Sequence, residues 1–380
     1  MEHADFVIIG GGIAGASAGF ELAERGRVVL LEREQTAGYH TTGRSAALYT
    51  EIYERGPIRA LTLAGREFFE DPPPGFAEHP LLSPLPVLFI GREDQGAALD
   101  ALRNASGGSF ELEVVTGDAL RELCPVLRPD RIVSGLLEVR AKEIDVHGLH
   151  QGFLAGIRRR GGVVRTDAGV TKLQRDDATW IVVAGGVTVE APVVVNAAGA
   201  WCEDVAGLAG AAPVGLTPLR RTAFTFGPED HDLEGWPMVV DAHEDFYFKP
   251  ERVQLMGSLA EETPMTPHDV RHDEIDVALA IERIKAATTF DIRHVRRAWA
   301  GLRTFTTDRL PVVGFDPEVQ GFFWLAGQGG FGIMTSPALG RVAAALVCDG
   351  ELPTDLVAAG VAASEISPVR FQPNPVAGET

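Results

Sequence analysis

The chain has 380 residues, 34 basic against 53 acidic side chains for a net charge of −19, 45% hydrophobic residues and three cysteines. That length suits two domains better than one core, the balance of apolar and charged residues excludes a disordered chain, and the acidic excess speaks against nucleic acid as a partner. No run approaches the roughly 18 uninterrupted apolar residues that cross a bilayer, and acids precede the first short apolar run where an export signal carries basic residues, so a cytoplasmic protein with no transmembrane segment is expected.

Phe6–Ile9 is a short apolar, β-branched run; Gly10, Gly11 and Gly12 turn the chain; residues 13–24 carry apolar side chains at Ile13, Ala16, Phe20 and Ala23; and Val28–Leu31 is apolar again. This is a βαβ unit, which predicts an α/β fold with a doubly wound parallel sheet. Residues 82–140 and 214–300 differ in character. Alternating stretches at 87–90, 221–226, 238–241, 246–249 and 253–256, broken by Pro and Asp, predict antiparallel strands. A helix is predicted over 148–160, followed by extended GGVV and GVTKL, a buried strand over 192–196 and, after it, the small-residue turn AAGAW. Near the C-terminus, Phe322–Ala326 reads as a strand, GQGGFG as a glycine turn and 336–347 as a helix. The pattern predicts a discontinuous nucleotide-binding domain from 1–81, 141–213 and 301–370, an inserted α+β substrate domain with an antiparallel sheet from 82–140 and 214–300, and a loose Pro-rich tail after Ser367, with 371–380 outside both domains. Cys124, Cys202 and Cys348 form no CxxC pair and read as small core residues, with no disulfide and no metal site.

Gly10-x-Gly12-x-x-Gly15 lies between a predicted strand and a predicted helix, the context in which the spacing has meaning. The first glycine permits the turn, the second lets a pyrophosphate reach backbone N–H groups at the helix N-terminus, and the third lets helix and strand approach. Glu32 lies 17 residues after Gly15, where a carboxylate suits free ribose hydroxyls. A dinucleotide is implied. The second small-residue strand end, with Ala198, Gly199 and Trp201, shifts the choice from NAD to FAD. Gly327, Gly329, Gly330 and Gly332 then deliver backbone N–H groups to a helix start, where they would stabilise negative charge on a reduced flavin. The loop Gly38 to Ala46 adds donors from His40, Thr41, Thr42, Arg44 and Ser45.

With these motifs the chain resembles the D-amino acid oxidase superfamily of FAD enzymes and, within it, bacterial D-arginine dehydrogenase: GIAGAS, LERE, GYHTTGRSAA, EHPLLSP, LHQGFLAGIRR, VVNAAGAWC, FYFKP, AGLRTF and GQGGFGI recur along nearly its whole length. The resemblance implies non-covalent FAD, oxidative deamination of a D-amino acid by hydride transfer from Cα to flavin N5, and further cofactor contacts from Ile13, Ala14, Arg33, Ala46, Ala47, Val170, Gly301, Arg303, Phe331 and Ile333. Such chemistry asks the protein for orientation and for a carboxylate clamp, best made by arginine. Arg221 in RTAFTF and Arg303 in AGLRTF sit in apolar strand contexts, and by resemblance they are that clamp. The resemblance also places Tyr53 and Tyr247 over the substrate, Thr50 near a lid, and the Gly330 carbonyl as acceptor for the amine.

Two positions depart from the arginine-using enzyme: Val87 stands where that enzyme has an acid and Leu48 where it has a histidine. A basic side chain facing Leu48, Val87, Met238 and Val240 would lack a counter-charge, so D-Leu, D-Met or D-Phe are expected over D-Arg and D-Lys, and Val87→Glu is expected to recover basic substrates. Two alternatives stay open: an FAD enzyme acting on glycine, sarcosine or a 2-hydroxy acid, and a non-catalytic FAD-binding protein. Oxygen and other electron acceptors are equally compatible with the motifs.

Overall fold

The computed structural model describes residues 1–52, 56–105, 112–228 and 231–372. Phe6–Ile9, Val28–Leu31 and Phe322–Ala326 are buried at every residue, as unbroken apolar strands inside a parallel sheet must be. They belong to a six-stranded sheet in the order Val163–Arg165, Val28–Leu31, Phe6–Ile9, Val193–Asn196, Phe322–Ala326, Val312–Phe315, parallel throughout except for the last edge strand. On one face Ile8, Leu30, Val195 and Phe323 pack against the helices Ile13–Leu22, Val146–Arg159 and Gly332–Cys348.

The other face departs from the doubly wound expectation. Val7, Ile9, Val29, Leu31 and Trp324 are covered largely by an antiparallel meander of Val170–Asp176, Thr179–Ala184 and Val187–Ala191, joined by the short helix Cys202–Ala209. Thr179–Ala184 alternates buried and half-buried residues, so it presents one apolar face to the parallel sheet as well as a helix would.

The second sheet has nine strands, drawn from Val87–Gly91, Glu113–Thr116, Ser134–Glu138, Thr217–Phe226, Met238–Asp241, Tyr247–Glu251, Gln254–Ser258, Thr263–Pro264 and Val295–Phe305. All its pairings are antiparallel except one, because Met238–Asp241 runs parallel to Val87–Gly91. One face carries Leu88, Val239, Phe224, Phe226, Phe248 and Leu255 against the helix Glu274–Ala287, an element not named from the sequence. The opposite face carries Val87, Phe89, Leu136, Met238, Val240, Tyr247, Met256 and Ala223. Val295–Phe305 runs unbroken through the expected boundary at 300/301, so the crossing between the two regions lies within a strand.

Three further corrections concern the C-terminal part. The last long helix starts at Gly332, four residues before the predicted start, with Pro337 inside it. Proline removes the N–H that would bond to the Ile333 carbonyl, and Ser336 Oγ donates to that carbonyl instead at 2.8 Å. The chain after Ser367 is ordered through Pro368–Phe371, where Arg370 Nε reaches Asp308 Oδ2 at 2.7 Å; residues 373–380 lie outside the described part. Cys124 and Cys202 are buried as expected, whereas Cys348 is exposed at a helix end.

Candidate functional site

Three neighbouring parallel strands end in small-residue turns: Phe6–Ile9 runs into Gly10–Gly12, Val193–Asn196 into Ala197–Trp201, and Phe322–Ala326 into Gly327–Gly332. Together they border a cavity of about 580 Å³, a size usual for small-molecule sites. The glycines divide by role. A Cβ on Gly10 would lie 2.4 Å from the Ala197 carbonyl oxygen, and one on Gly15 would lie 2.0 Å from the Gly10 carbonyl oxygen. Both are small because backbones meet there. A Cβ on Gly12 would meet only Thr42 Oγ1 within 4 Å, at 3.3 Å, and Gly12 lines the cavity.

The first turn is held by side chains from elsewhere. Ile13 N donates to Thr42 Oγ1 at 3.0 Å, Gly11 N to Glu32 Oε2 at 2.8 Å, and Glu34 N to Glu32 Oε1 at 2.9 Å. The buried Glu32 lines the cavity and has lone pairs left for ribose hydroxyls. Beside it the Arg33 guanidinium lies 4.8 Å over the Trp201 ring, His40 packs 4.6 Å from the same ring and meets Glu34 Oε1 at 3.0 Å, and Val170, Ala198 and Gly199 complete that end. Gly332 and Ile333 bring the start of the last long helix to the cavity beside Ile13 and Ala14 of the first, a Cβ on Gly332 lying 3.8 Å from Ile13 Cγ2.

Some residues of the expected cofactor set do other work. Arg44 borders the cavity, but its three nitrogens are committed: Nε to the Tyr39 carbonyl, Nη1 to the Val270 and Ala300 carbonyls, and Nη2 to Asp269 Oδ1 at 2.5 Å. That contact holds the Asp269 carboxyl below its ordinary range. Arg44 therefore fastens its loop to the Val295–Phe305 strand, where Thr41 Oγ1 also bonds the Leu302 carbonyl at 2.6 Å. Ser45, Ala46 and Gly301 line the cavity, but Ala47, Gly15, Gly327 and Phe331 do not. Gly327 (φ +71°) and Gly329 (φ +55°) have left-handed backbones, and a Cβ on Gly329 would lie 2.1 Å from the Phe305 ring.

At the substrate end, Thr217–Phe226 pairs antiparallel with Val295–Phe305 so that Arg221 faces Gly301 and Leu219 faces Arg303. The two arginines are diagonal neighbours on one face, and both border the cavity with Tyr247. Burial first, and then the Arg303 charge, lowers the pKa of Arg221. It is ion-paired with Glu262, whose Oε1 lies 3.5 Å from Arg221 Nη2 while the same carboxylate is gripped by Arg309 at 2.7 and 3.0 Å, and the Glu261 carboxyl also acts on it. A Cβ on Gly330 would come 3.2 Å from Arg303 Nη1, so that glycine lets the guanidinium lie against the turn. Two guanidiniums facing one cavity with little compensation form an anion site.

The expected side-chain pocket is assembled in part. Leu48, Val87, Met238 and Val240 fall in one apolar cluster with Ala223 and Tyr247, but only the last two reach the cavity. Thr50 is buried behind them and donates to Glu138 Oε2 at 2.5 Å, and Glu51 N donates to Glu138 Oε1 at 3.0 Å. Glu138 pairs in register with Val87, so a buried carboxylate stands on the same face beside it, its pKa raised chiefly by burial. Lys249, also buried, is paired with Glu143 and Glu251 on that face. The region expected to lack charge thus holds two ionisable groups. No local motif marks either; only strand pairing brings them there. Tyr53 lies outside the described residues.

The cavity has polar atoms to offer a dinucleotide. Gln328 Nε2, Thr304 Oγ1 and Arg221 Nε are buried without a hydrogen-bond partner, and all three residues line it. With the N-termini of the helices Ile13–Leu22 and Gly332–Cys348 at the cavity and the Glu32 carboxylate, this donor set fits FAD.

The sequence pattern that defines the FAD dependent oxidoreductases (DAO) matches residues 5–346. The chain is 27% identical over 409 aligned positions to the mitochondrial dimethylglycine dehydrogenase of Mus musculus, covering 97% of this chain and 44% of that protein, so it spans less than half the length of that relative. It is 25% identical to the glycine oxidase of Geobacillus kaustophilus, covering 94% of this chain and 96% of that one. Among solved structures, L-proline dehydrogenase from P. horikoshii superposes with a TM-score of 0.84 at 19% identity, covering 97% of this chain and 98% of that chain. Glycine oxidase from Geobacillus kaustophilus superposes with a TM-score of 0.82 at 22% identity over the same shares. No helix among the described residues is long and apolar enough to cross a membrane.

Proposed function

The chain belongs to the DAO family of FAD-dependent oxidoreductases, and we propose that it oxidises the Cα–N bond of an amino acid held by its free α-carboxylate. FAD is the cofactor of this family and, when bound, takes up the two electrons and the hydrogen that leave the substrate. The imino acid product is hydrolysed by water to a 2-oxo acid and ammonia. The observation that carries this reading is the facing pair Arg221 and Arg303, short of counter-charge at one end of the cofactor cavity.

In this reading the two guanidiniums bind the carboxylate and the Tyr247 hydroxyl adds a donor from the same wall. The Gly330 carbonyl accepts from the substrate nitrogen. Both arginine charges disfavour an ammonium nearby, so the bound amine loses its proton more readily than in water, which frees the lone pair that oxidation requires. Gly12, Thr42, Glu32 and the first turn of the Ile13–Leu22 helix hold FAD without a covalent bond.

For the substrate we infer D-amino acids with apolar side chains, because Ala223 and Tyr247 bring the apolar cluster of Leu48, Val87, Met238 and Val240 to the cavity wall. A second reading is glycine or an N-methylated glycine. It is favoured by relatives named for glycine and dimethylglycine. Anaerobic mixing of the yellow holoenzyme with D-Leu, D-Met, L-Leu, D-Arg, glycine and sarcosine, followed by loss of flavin absorbance, tests both. Fastest reduction by D-Leu or D-Met supports the first reading and fastest reduction by glycine or sarcosine the second. Bleaching by none of them removes the amine-oxidising function.

A further inference from the structure

The two peptides that flank the Gly11 Cα are each held by a side chain distant in sequence. Glu32 Oε2 accepts the Gly11 N–H at 2.8 Å, and the Gly11 carbonyl lies 2.8 Å from His150 Nε2. His150 is 4% exposed and belongs to the Val146–Arg159 helix, whose N-terminus Asp145 caps by accepting the Gly148 N–H at 2.9 Å. Its partners fix the tautomer. A carbonyl can only accept, so Nε2 carries the proton; Nδ1 faces the donor Gln151 Nε2 at 3.5 Å and is the acceptor. The ring also fills the space that a side chain on Gly38 would need, since a Cβ there would sit 2.9 Å from His150 Cε1. One imidazole is thus wedged between the two glycine loops that border the cofactor cavity.

The Gly11–Gly12 peptide is trans, so the carbonyl of Gly11 and the N–H of Gly12 point in opposite directions. With the carbonyl turned to His150, the Gly12 N–H is turned to the other side, where Gly12 lines the cavity. Thr42 Oγ1 takes the next N–H, that of Ile13, which leaves the Gly12 donor at the mouth of the helix for an anionic ligand. Glycine on both sides of this peptide means that no Cβ opposes its rotation. A rotated peptide would present a carbonyl oxygen to the cavity in place of a donor.

We propose that His150 is a positioning residue that locks the Gly11–Gly12 peptide with its N–H aimed at the diphosphate of the cofactor, so that diphosphate recognition depends on an imidazole that never touches the ligand. His150→Leu keeps the bulk between the loops and removes the donor; His150→Gln keeps a donor.

The test measures dissociation constants of the apoprotein for FAD, for ADP and for adenosine, which lacks phosphate, alongside apoprotein melting temperatures. His150→Leu is expected to weaken FAD and ADP about tenfold while adenosine affinity stays within about twofold, and His150→Gln to recover most of the loss. FAD and ADP affinities within twofold of the parent in His150→Leu, or an equal loss for adenosine, overturns the proposal. Should the leucine variant not fold, His150→Gln alone decides. Retention of the ADP-to-adenosine ratio supports the lock, and its collapse despite a folded apoprotein refutes it.

Discussion

Replacing Arg221 by methionine sets the two roles of that guanidinium against each other. In the folded chain without substrate its ion-pair partner is Glu262 at 3.5 Å, a carboxylate about one-third exposed and already held by Arg309, so that ion pair is worth at most about 1 kcal/mol, and the Glu261 carboxyl adds a second attraction. Against this stands repulsion from Arg303. Diagonal cross-strand neighbours sit roughly 7–8 Å apart, and two like charges at that range in an effective dielectric of about 20 repel by about 2 kcal/mol. The variant is therefore expected to melt at the parent's temperature or slightly above it. Carboxylate binding moves the other way. Charge-assisted hydrogen bonds contribute roughly 1.5–3 kcal/mol, which is about a 10- to 150-fold rise in dissociation constant. Titration of the holoenzyme with acetate, which has no amine to oxidise, gives that constant from the flavin spectrum, and calorimetry gives the melting temperature. An unchanged acetate constant together with a melting temperature several degrees lower would mean that Arg221 is a structural partner of Glu262, and the clamp would be refuted.

Gly15→Ala places a methyl 2.0 Å from the Gly10 carbonyl oxygen and should destabilise the fold by about 2 kcal/mol or more, whereas Gly12→Ala meets only Thr42 Oγ1 and should fold normally while losing FAD affinity; equal melting temperatures for the two would contradict the division of roles. Val87→Glu sets a second buried carboxylate in register with Glu138, and two such groups share one proton. Its expected signature is therefore a stability that falls as pH rises above the ordinary carboxylate range, relieved by adding Glu138→Gln; the gain in kcat/KM for D-Arg expected of the new acid is measured in both variants, and a gain in neither would refute the reading of position 87. Burial first, and Glu24 second, lift the Glu21 carboxyl to about 7. The folded state thus holds a proton that the unfolded chain has released, so this residue costs stability as pH rises from about 4.5 to 7. Glu21→Gln should melt above the parent at pH 8 and level with it at pH 4. At about 1.36 kcal/mol per pKa unit the gain is bounded at roughly 3 kcal/mol, and a difference independent of pH would refute the assignment.

The cofactor side was largely legible in the sequence because its parts are local. Gly10, Gly12 and Gly15 act within one turn, and Glu32 follows at the end of the next strand, so spacing along the chain is spacing in the site. What escaped was the partner that reaches this turn across the fold, His150, since a histidine in LHQGF carries no mark of the carbonyl it will meet. The other bonds of Arg44 escaped for the complementary reason: a loop arginine shows no sign in the sequence of the backbone carbonyls of 270 and 300 that arrive beside it. The meander over the parallel sheet was likewise missed, because alternation gives a strand but not the surface it covers.

The substrate side depends on register, which no single stretch of sequence contains. Side chains alternate across a strand with period 2, so Arg221 and Ala223 face the cavity only because Phe224 and Phe226 face the helix Glu274–Ala287. The same holds for Tyr247 against Phe248, and for Val87 and Glu138 against Leu88 and Leu137. A slip of one residue in the pairing of Thr217–Phe226 with Val295–Phe305 would turn Arg221 into that aromatic core and bury an unpaired cation, at a cost of several kcal/mol. The apolar face therefore fixes the chemistry on the polar one. It holds two like charges at one cavity wall against their repulsion, and it is this imposed proximity, more than the identity of either arginine, on which the proposed carboxylate clamp rests.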